Sequence, residues 1–184
     1  MFVAIEGLDG VGKTTVSRLL ASRLNAECFI TPPEDIRHLR SLVEDGSPIA
    51  RYMYYLVGDI VVSERIKKVL RGGRDVVCDR YILSTQVYHR ALNPNSWAID
   101  EGVLGIIQPN VTVLLTCSEE ERLRRLKSRR KIDVPDAHIE GNEDLMKAVD
   151  KLYHSFLGLV EIDSTRMTAG ETVDAVLRAI GGML

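Results

Sequence analysis

The sequence carries no surplus of either charge: 24 lysines and arginines stand against 26 aspartates and glutamates, a net charge of −2. A protein that coats nucleic acid needs a basic excess to meet the phosphates, so that class is set aside, although a local basic cleft stays open. No C-x-x-C pair occurs, and Cys28, Cys78 and Cys117 lie far apart, each in or beside an apolar run. His38, His89, His138 and His154 show no zinc-ligand spacing. The thiols therefore read as free and buried, as in a reducing cytosol. No apolar run approaches the roughly 18 residues of a membrane span. The chain enters its first strand at once, with no room for a signal peptide, so a cytoplasmic location is expected. Repeats, linkers and low-complexity tracts are missing too. With 184 residues, 45% hydrophobic and 27% charged, the chain suits one well-buried α/β domain spanning 1–184.

What is present is concentrated at the start, in FVAIEGLDGVGKTT. Phe2 to Ile5 is a short apolar run that reads as a buried strand and stops at Glu6. Gly7, Gly12, Lys13 and Thr14 then fill the G-x-x-x-x-G-K-[ST] pattern of a phosphate-binding loop, and Thr15 to Leu24 continues as a helix. Glycines let successive N–H groups converge on an anion, and the positive end of the helix adds to that field. Lys13 is placed to reach the outer phosphates, and the Thr14 hydroxyl to ligate Mg²⁺. A plain connecting turn does not account for all four residues with strand and helix on the correct sides. The expected ligand is a nucleoside triphosphate.

Further on, Cys28 to Thr31 reads as a second strand, and Thr31-Pro32-Pro33-Glu34 as a helix start with a capping box. A polar helix follows to about Asp45, then a long one from Ile49 to Leu70, stopped by Gly72-Gly73. Asp75 to Asp79 is the third strand, Tyr81 to Leu92 a helix, Ala98 to Ile107 another, and Val111 to Thr116 the clearest strand. Ser118 to Glu121 reads as a second capping box, opening a helix that runs into Arg122, Arg124, Arg125, Lys127, Arg129, Arg130 and Lys131. Residues 132–142 read as a loop, Glu143 to Phe156 as a helix, Leu159 to Asp163 as the last strand. A capped helix from Thr168 to Gly181 closes the chain. Alternating strands and helices predict a parallel sheet with right-handed crossovers.

A phosphate loop alone fits GTPases, motor ATPases and small-molecule kinases. No N-K-x-D element for guanine occurs, and the third strand ends in Asp79-Arg80-Tyr81 rather than in an acidic metal-binding pair. Asp79 can hold Mg²⁺ and Arg80 can place a guanidinium on a phosphate; a structural ion pair at a strand end is the plainer reading. Likewise the basic cluster is either a solvated helix face or part of a closing lid over about 127–143. A lid suits transfer between two anionic nucleotides, where charge is cancelled and water excluded.

The opening stretch and Asp79-Arg80-Tyr81-Ile82-Leu83-Ser84-Thr85-Gln86-Val87-Tyr88 together resemble the thymidylate kinase family, whose second segment reads D-R-[YH]-x-x-S-T-x-A-Y. The resemblance implies a P-loop α/β/α fold with a five-stranded parallel sheet of order 2-3-1-4-5. It also implies ATP- and Mg²⁺-dependent phosphorylation of dTMP, usually by a homodimer. On this resemblance Gly7, Asp9, Gly10, Gly12, Lys13, Thr14 and Thr15 bind the donor, with Arg125 near adenine and Arg129 on the transferred phosphate. Asp9 also meets the acceptor sugar, Arg80 the acceptor phosphate, Tyr54 the base and Tyr88 the deoxyribose, with Ser84 beside them. Thr14 and Asp79 are the metal ligands, and Lys13, Arg80 and Arg129 the catalytic cations. Gly10 stands where some members carry an arginine, consistent with a lid that supplies one.

The chain departs from the family on the acceptor side and in the lid. Thr31-Pro32-Pro33-Glu34 lacks the usual arginine, which Arg37 or Arg51 would have to replace; the base-reading arginine is Gly58; the lid's D-R-x-E is Ile132-Asp133-Val134-Pro135. A kinase of a neutral hydroxyl, with Glu34 as base rather than capping residue, is the alternative. A nucleotide-binding protein without turnover is the third.

Overall fold

The structure is a computed structural model that describes residues 1–44, 46–94, 102–128 and 142–182. Its centre is β1 (Phe2–Glu6), every residue of which is buried. Val3 and Ile5 face one side and Phe2 and Ala4 the other, as the two-residue period of a strand requires. Both faces are covered, which is why the run is apolar throughout rather than alternating.

β1 pairs in parallel with β3 (Val76–Asp79) and β4 (Val111–Thr116); β2 (Glu27–Ile30) pairs with β3, and β5 (Val160–Asp163) with β4. The sheet order is β2-β3-β1-β4-β5, as expected. On one face α1 (Lys13–Leu24) and α8 (Ala169–Gly181) supply Val16, Leu20, Val173, Val176 and Ile180 to the core. On the other, α4 (Pro48–Arg71) lays Tyr52, Leu56, Val62 and Ile66 against Phe2, Ala4, Val76 and Cys78. Beside it, α5 (Ile82–Leu92) and α7 (Glu143–His154) meet through Val87, Met146, Val149 and Tyr153, against Leu114 of β4. Three layers result, with β1 and β3 adjacent, so that the register pairs Ile5 with Asp79. The phosphate loop and Asp79-Arg80 thus emerge side by side. None of the described helices is long and apolar enough to cross a membrane.

The capping box at Thr168 forms with both halves, Thr168 and Glu171 bonding each other's backbone N–H. The one expected at Thr31 does not: the Thr31-Pro32 peptide is cis, Pro33 occupies the cap position, and Glu34 pairs with Arg37 in α2 (Glu34–Arg37). A separate α3 (Arg40–Glu44) follows, so the polar helix is two short ones. At α6 (Glu119–Ser128) only half of the predicted box forms. The Ser118 hydroxyl accepts the Glu121 N–H, but Glu121 binds Arg124 and Arg125 instead, and Thr165 takes the Ser118 N–H. The helix expected over Ala98–Ile107 is overturned where it can be seen: residues 102–105 are turn and 106–107 irregular, with Ile106 buried against the α4 face. Its first residues, like the Asn95 turn, Arg129, Arg130, Lys131 and the loop over 132–141, lie outside the described residues.

Candidate active site

Chemistry at this site begins with a loop whose backbone is pressed from two sides. Gly7 has φ 136°, and a Cβ there would overlap the Leu115 carbonyl oxygen of the neighbouring strand. Gly10 has φ 94°, and its Cβ would stand 2.9 Å from Leu126 Cγ and 3.0 Å from Arg122 Cγ. Only glycine fits these backbone angles without strain. An arginine at Gly10 would therefore strain the backbone and force α6 side chains to shift.

Lys13 is 5% exposed. Its ammonium donates to the Leu8 carbonyl at 2.7 Å and lies 3.5 Å from Asp9 Oδ1. Burial pulls its pKa down to about 8, helped by the Arg80 charge and opposed by Asp9, Asp79 and Glu6. Thr14 Oγ1 donates to Asp79 Oδ2 at 2.5 Å. Asp79 Oδ1 is buried and has no hydrogen-bond partner among the described residues. A buried carboxylate oxygen left bare beside a threonine hydroxyl is a donor set that fits Mg²⁺, which takes few protein oxygens and otherwise water and phosphate.

Arg80 sits at φ 62°, in the left-handed region where a side chain is uncommon. Its N–H is held by the Ile5 carbonyl at 2.9 Å. The guanidinium is ion-paired with Asp9, 3.4 Å from Ser84 Oγ, and over the Tyr88 ring at 5.6 Å. Beneath it lies Glu6, fully buried. Its carboxylate accepts from the Tyr81 N–H at 2.9 Å, the Ser84 N–H at 3.3 Å, the Ser84 hydroxyl, and Tyr153 Oη at 3.4 Å. Burial pushes the Glu6 pKa up to about 7, although the Ser84 hydroxyl, the Arg80 charge and the two N–H groups pull the other way. By accepting the Tyr81 and Ser84 N–H groups, this carboxylate caps the start of α5 from below.

A cavity of about 410 Å³ opens at the carboxyl ends of β1, β2 and β3. The phosphate loop lends it Asp9, Lys13 and Thr14; the β3–α5 segment lends Asp79, Arg80, Ser84 and Tyr88; the β2–α4 segment lends Arg37, Arg40, Arg51, Tyr52 and Tyr55. Arg37 and Arg51 are the two residues named as substitutes for the missing arginine, and Arg40 joins them.

Other expected residues are placed elsewhere. Tyr54 is 7% exposed, packs edge-on against Tyr55 at 5.0 Å and does not line the cavity. Residues 52 and 55 share a helix face and 54 does not, so Tyr52 and Tyr55 are the rings presented there. Tyr52 is stacked on His89 at 3.8 Å. Glu34, paired with Arg37 and 83% exposed at its side chain, is not among the lining residues. At Gly58 a Cβ would meet Pro32 Cβ at 3.1 Å, so any side chain there, an arginine included, would require Pro32 to give way by a few tenths of an ångström. Arg125 commits its guanidinium to Glu121, the Val11 carbonyl and Ser164. Glu6, Tyr153 and Ser164 have no site role in the sequence reading, and Arg122 appears there only as one of the basic cluster; Glu6, an acid closing an apolar strand, left a local signal.

A loop that can cradle one phosphorylated substrate, facing an arginine-lined cleft for a second, defines a phosphotransferase of the nucleoside-monophosphate kinase class. The chain belongs to the thymidylate kinase family, whose model matches residues 5–180. It is 30% identical over 196 residues to a probable thymidylate kinase of Methanococcus maripaludis, covering 97% of this chain and 94% of that one. Its fold is similar to that of thymidylate kinase from Candida albicans, with a TM-score of 0.77 at 18% identity over 98% of this chain and 91% of that one. It is also similar to deoxyadenosine kinase from M. mycoides, with a TM-score of 0.72 at 17% identity over 98% and 100%.

Proposed function

We propose that the protein catalyses ATP- and Mg²⁺-dependent phosphoryl transfer to a deoxynucleoside monophosphate, dTMP in the first instance. The carrying observation is one continuous cavity lined both by Lys13, Thr14 and Asp79 and by Arg37, Arg40, Arg51 and Arg80. Lys13 neutralises the outer phosphates of the donor, and Arg80 draws the acceptor phosphate towards them once Asp9 gives up its pairing to the acceptor sugar. The acceptor phosphate oxygen attacks the γ-phosphorus as the bond to the bridging oxygen breaks, leaving ADP. The nucleophile is already an anion, so no general base is needed; the residues position and screen charge. Mg²⁺, held by Thr14 and Asp79, would supply charge neutralisation on the donor phosphates. Tyr52, Tyr55 and Tyr88 are the rings offered to base and sugar. Arg129, as the lid arginine, belongs to this proposal, as do a homodimer and a cytoplasmic location.

Supporting a phosphorylated acceptor over a neutral one are the cleft arginines and the outward position of Glu34, which removes the proposed base. ADP release measured across a panel of deoxynucleotides, ribonucleotides and nucleosides tests this. Turnover of dTMP without turnover of thymidine is expected; thymidine turnover without dTMP would overturn the reading, and no turnover at all would leave a binding protein. Sedimentation of the purified chain tests the dimer.

A further inference from the structure

We propose that Arg122 and Arg125 of α6 are positioning residues that hold the phosphate loop in its anion-receiving shape by anchoring the carbonyls of Asp9 and Val11. Arg122 is 3% exposed and donates through Nη1 to the Asp9 carbonyl at 3.1 Å. Arg125 donates through Nη1 to the Val11 carbonyl at 2.9 Å. Each guanidinium is itself aimed by an acid from its own helix. Glu119 takes Arg122 Nε and Nη2 at 2.7 and 2.8 Å, and Glu121 takes Arg125 Nε at 2.7 Å. Such forked, charge-assisted bonds fix direction as well as distance. Ser164, 2% exposed, completes the second anchor: its hydroxyl lies 3.2 Å from the Val11 carbonyl, and its own Oγ and carbonyl receive Arg125 at 3.0 and 2.8 Å.

The consequence follows from peptide planarity. In a trans peptide the C=O and the following N–H point in opposite directions. Pulling the Asp9 carbonyl towards α6 turns the Gly10 N–H away from it, and pulling the Val11 carbonyl does the same for Gly12 N–H. These are loop N–H groups of the kind that converge on a phosphate. Between the two anchors Gly10 lies hard against Leu126 and Arg122, so the helix buttresses the loop as well as pulling on it. The Asp9 anchor also sets the backbone from which its carboxylate reaches Arg80.

This rests on the loop binding phosphate, and inorganic tripolyphosphate with Mg²⁺ separates the two ideas because it has no base. Its affinity is measured by calorimetry for wild type, Arg122→Met, Arg125→Met and Ser164→Ala. R122M and R125M are each expected to weaken binding about tenfold, the net worth of one charge-assisted hydrogen bond, and Ser164→Ala less. Free guanidinium is expected to restore part of the loss in Arg122→Ala. If wild type does not bind tripolyphosphate, the phosphate-loop reading fails and the anchors with it. If wild type binds and Arg125→Met binds equally well while losing affinity for ATP, Arg125 serves adenine alone and the anchoring role is overturned. R125M, which removes a partly exposed guanidinium, decides the matter if R122M does not fold.

Discussion

On the side of the cleft proposed for the donor, Gly7, Gly10, Gly12, Lys13 and Thr14 are neighbours in the chain, within a single strand–loop–helix unit that Asp79 joins from β3. On the side proposed for the acceptor the cavity is assembled from α2, α3, α4 and α5, with Arg37, Arg40, Arg51, Tyr52, Tyr55 and Tyr88 drawn from more than fifty residues of chain. A local unit has little freedom in how its parts meet, so its sequence pattern is strict. A composite wall can lose one arginine and present another. That is what the acceptor side shows: no arginine at positions 31–33 or 58, and three arginines from α2, α3 and α4 lining the same space.

The contrast can be broken by substitution. Lys13→Ala and Arg80→Ala are each expected to lower kcat by about 10²-fold or more, the scale of removing one preorganised charge donor. A near wild-type rate for Arg80→Ala would show that Asp79-Arg80 is only a strand-end pair. If the acceptor wall is redundant, Arg37→Ala or Arg51→Ala alone raises KM for the acceptor by about tenfold or less and leaves KM for ATP unchanged, because the remaining arginines of the wall replace part of a charge-assisted bond that alone is worth about 1.5–3 kcal/mol, or roughly 10- to 100-fold. A hundredfold loss from either would show that a single arginine carries the acceptor phosphate, and the contrast between the two sides would disappear.

Protonation sharpens the same comparison. Lys13 has its pKa lowered to about 8 by burial, so the free enzyme loses this charge as pH rises through that value. Because kcat/KM reports the free enzyme, kcat/KM for ATP is expected to fall about tenfold per pH unit above about 8. Dependence on acceptor concentration should change less. Glu6 gives the smallest effect, on stability rather than rate. Its folded pKa, raised to about 7 by burial, exceeds its ordinary value of 4.5, so the native state holds a proton that the unfolded chain has released between these values. The stability this provides is complete below about pH 4.5 and lost as pH rises through about 7. At about 1.4 kcal/mol per pKa unit, Glu6→Gln should remove up to about 3 kcal/mol of the fall in unfolding free energy between pH 5 and pH 8. Parallel pH slopes for wild type and variant in urea denaturation would mean Glu6 is ionised throughout.

Legibility followed the same division. β1, β4, the phosphate loop and the Thr168 capping box depend on residues close in sequence, and all were readable from it. The Thr31 box failed because Pro33, in the cap position, cannot supply a side-chain acceptor, and Glu34 found Arg37. Tyr54 was assigned by its place in the family pattern, but the turn of α4 presents Tyr52 and Tyr55 to the cavity. Arg122, Ser164 and Tyr153 escaped for another reason: their partners are 113, 153 and 147 residues distant, and nothing local to them marks the contact.

Glu6 has a mechanical meaning beyond its proton. The residue that ends β1 and precedes the phosphate loop also grips the first turn of α5 and reaches Tyr153 of α7. Donor loop and Arg80 therefore rest on one common foundation, and their separation is set before any substrate arrives. The arginines Arg37, Arg40 and Arg51 come from α2, α3 and the start of α4, none of which bonds to Glu6. On the proposed function, the span across which the phosphoryl group travels is then set by β1 and α5, and the fit to the acceptor by a wall built separately from them.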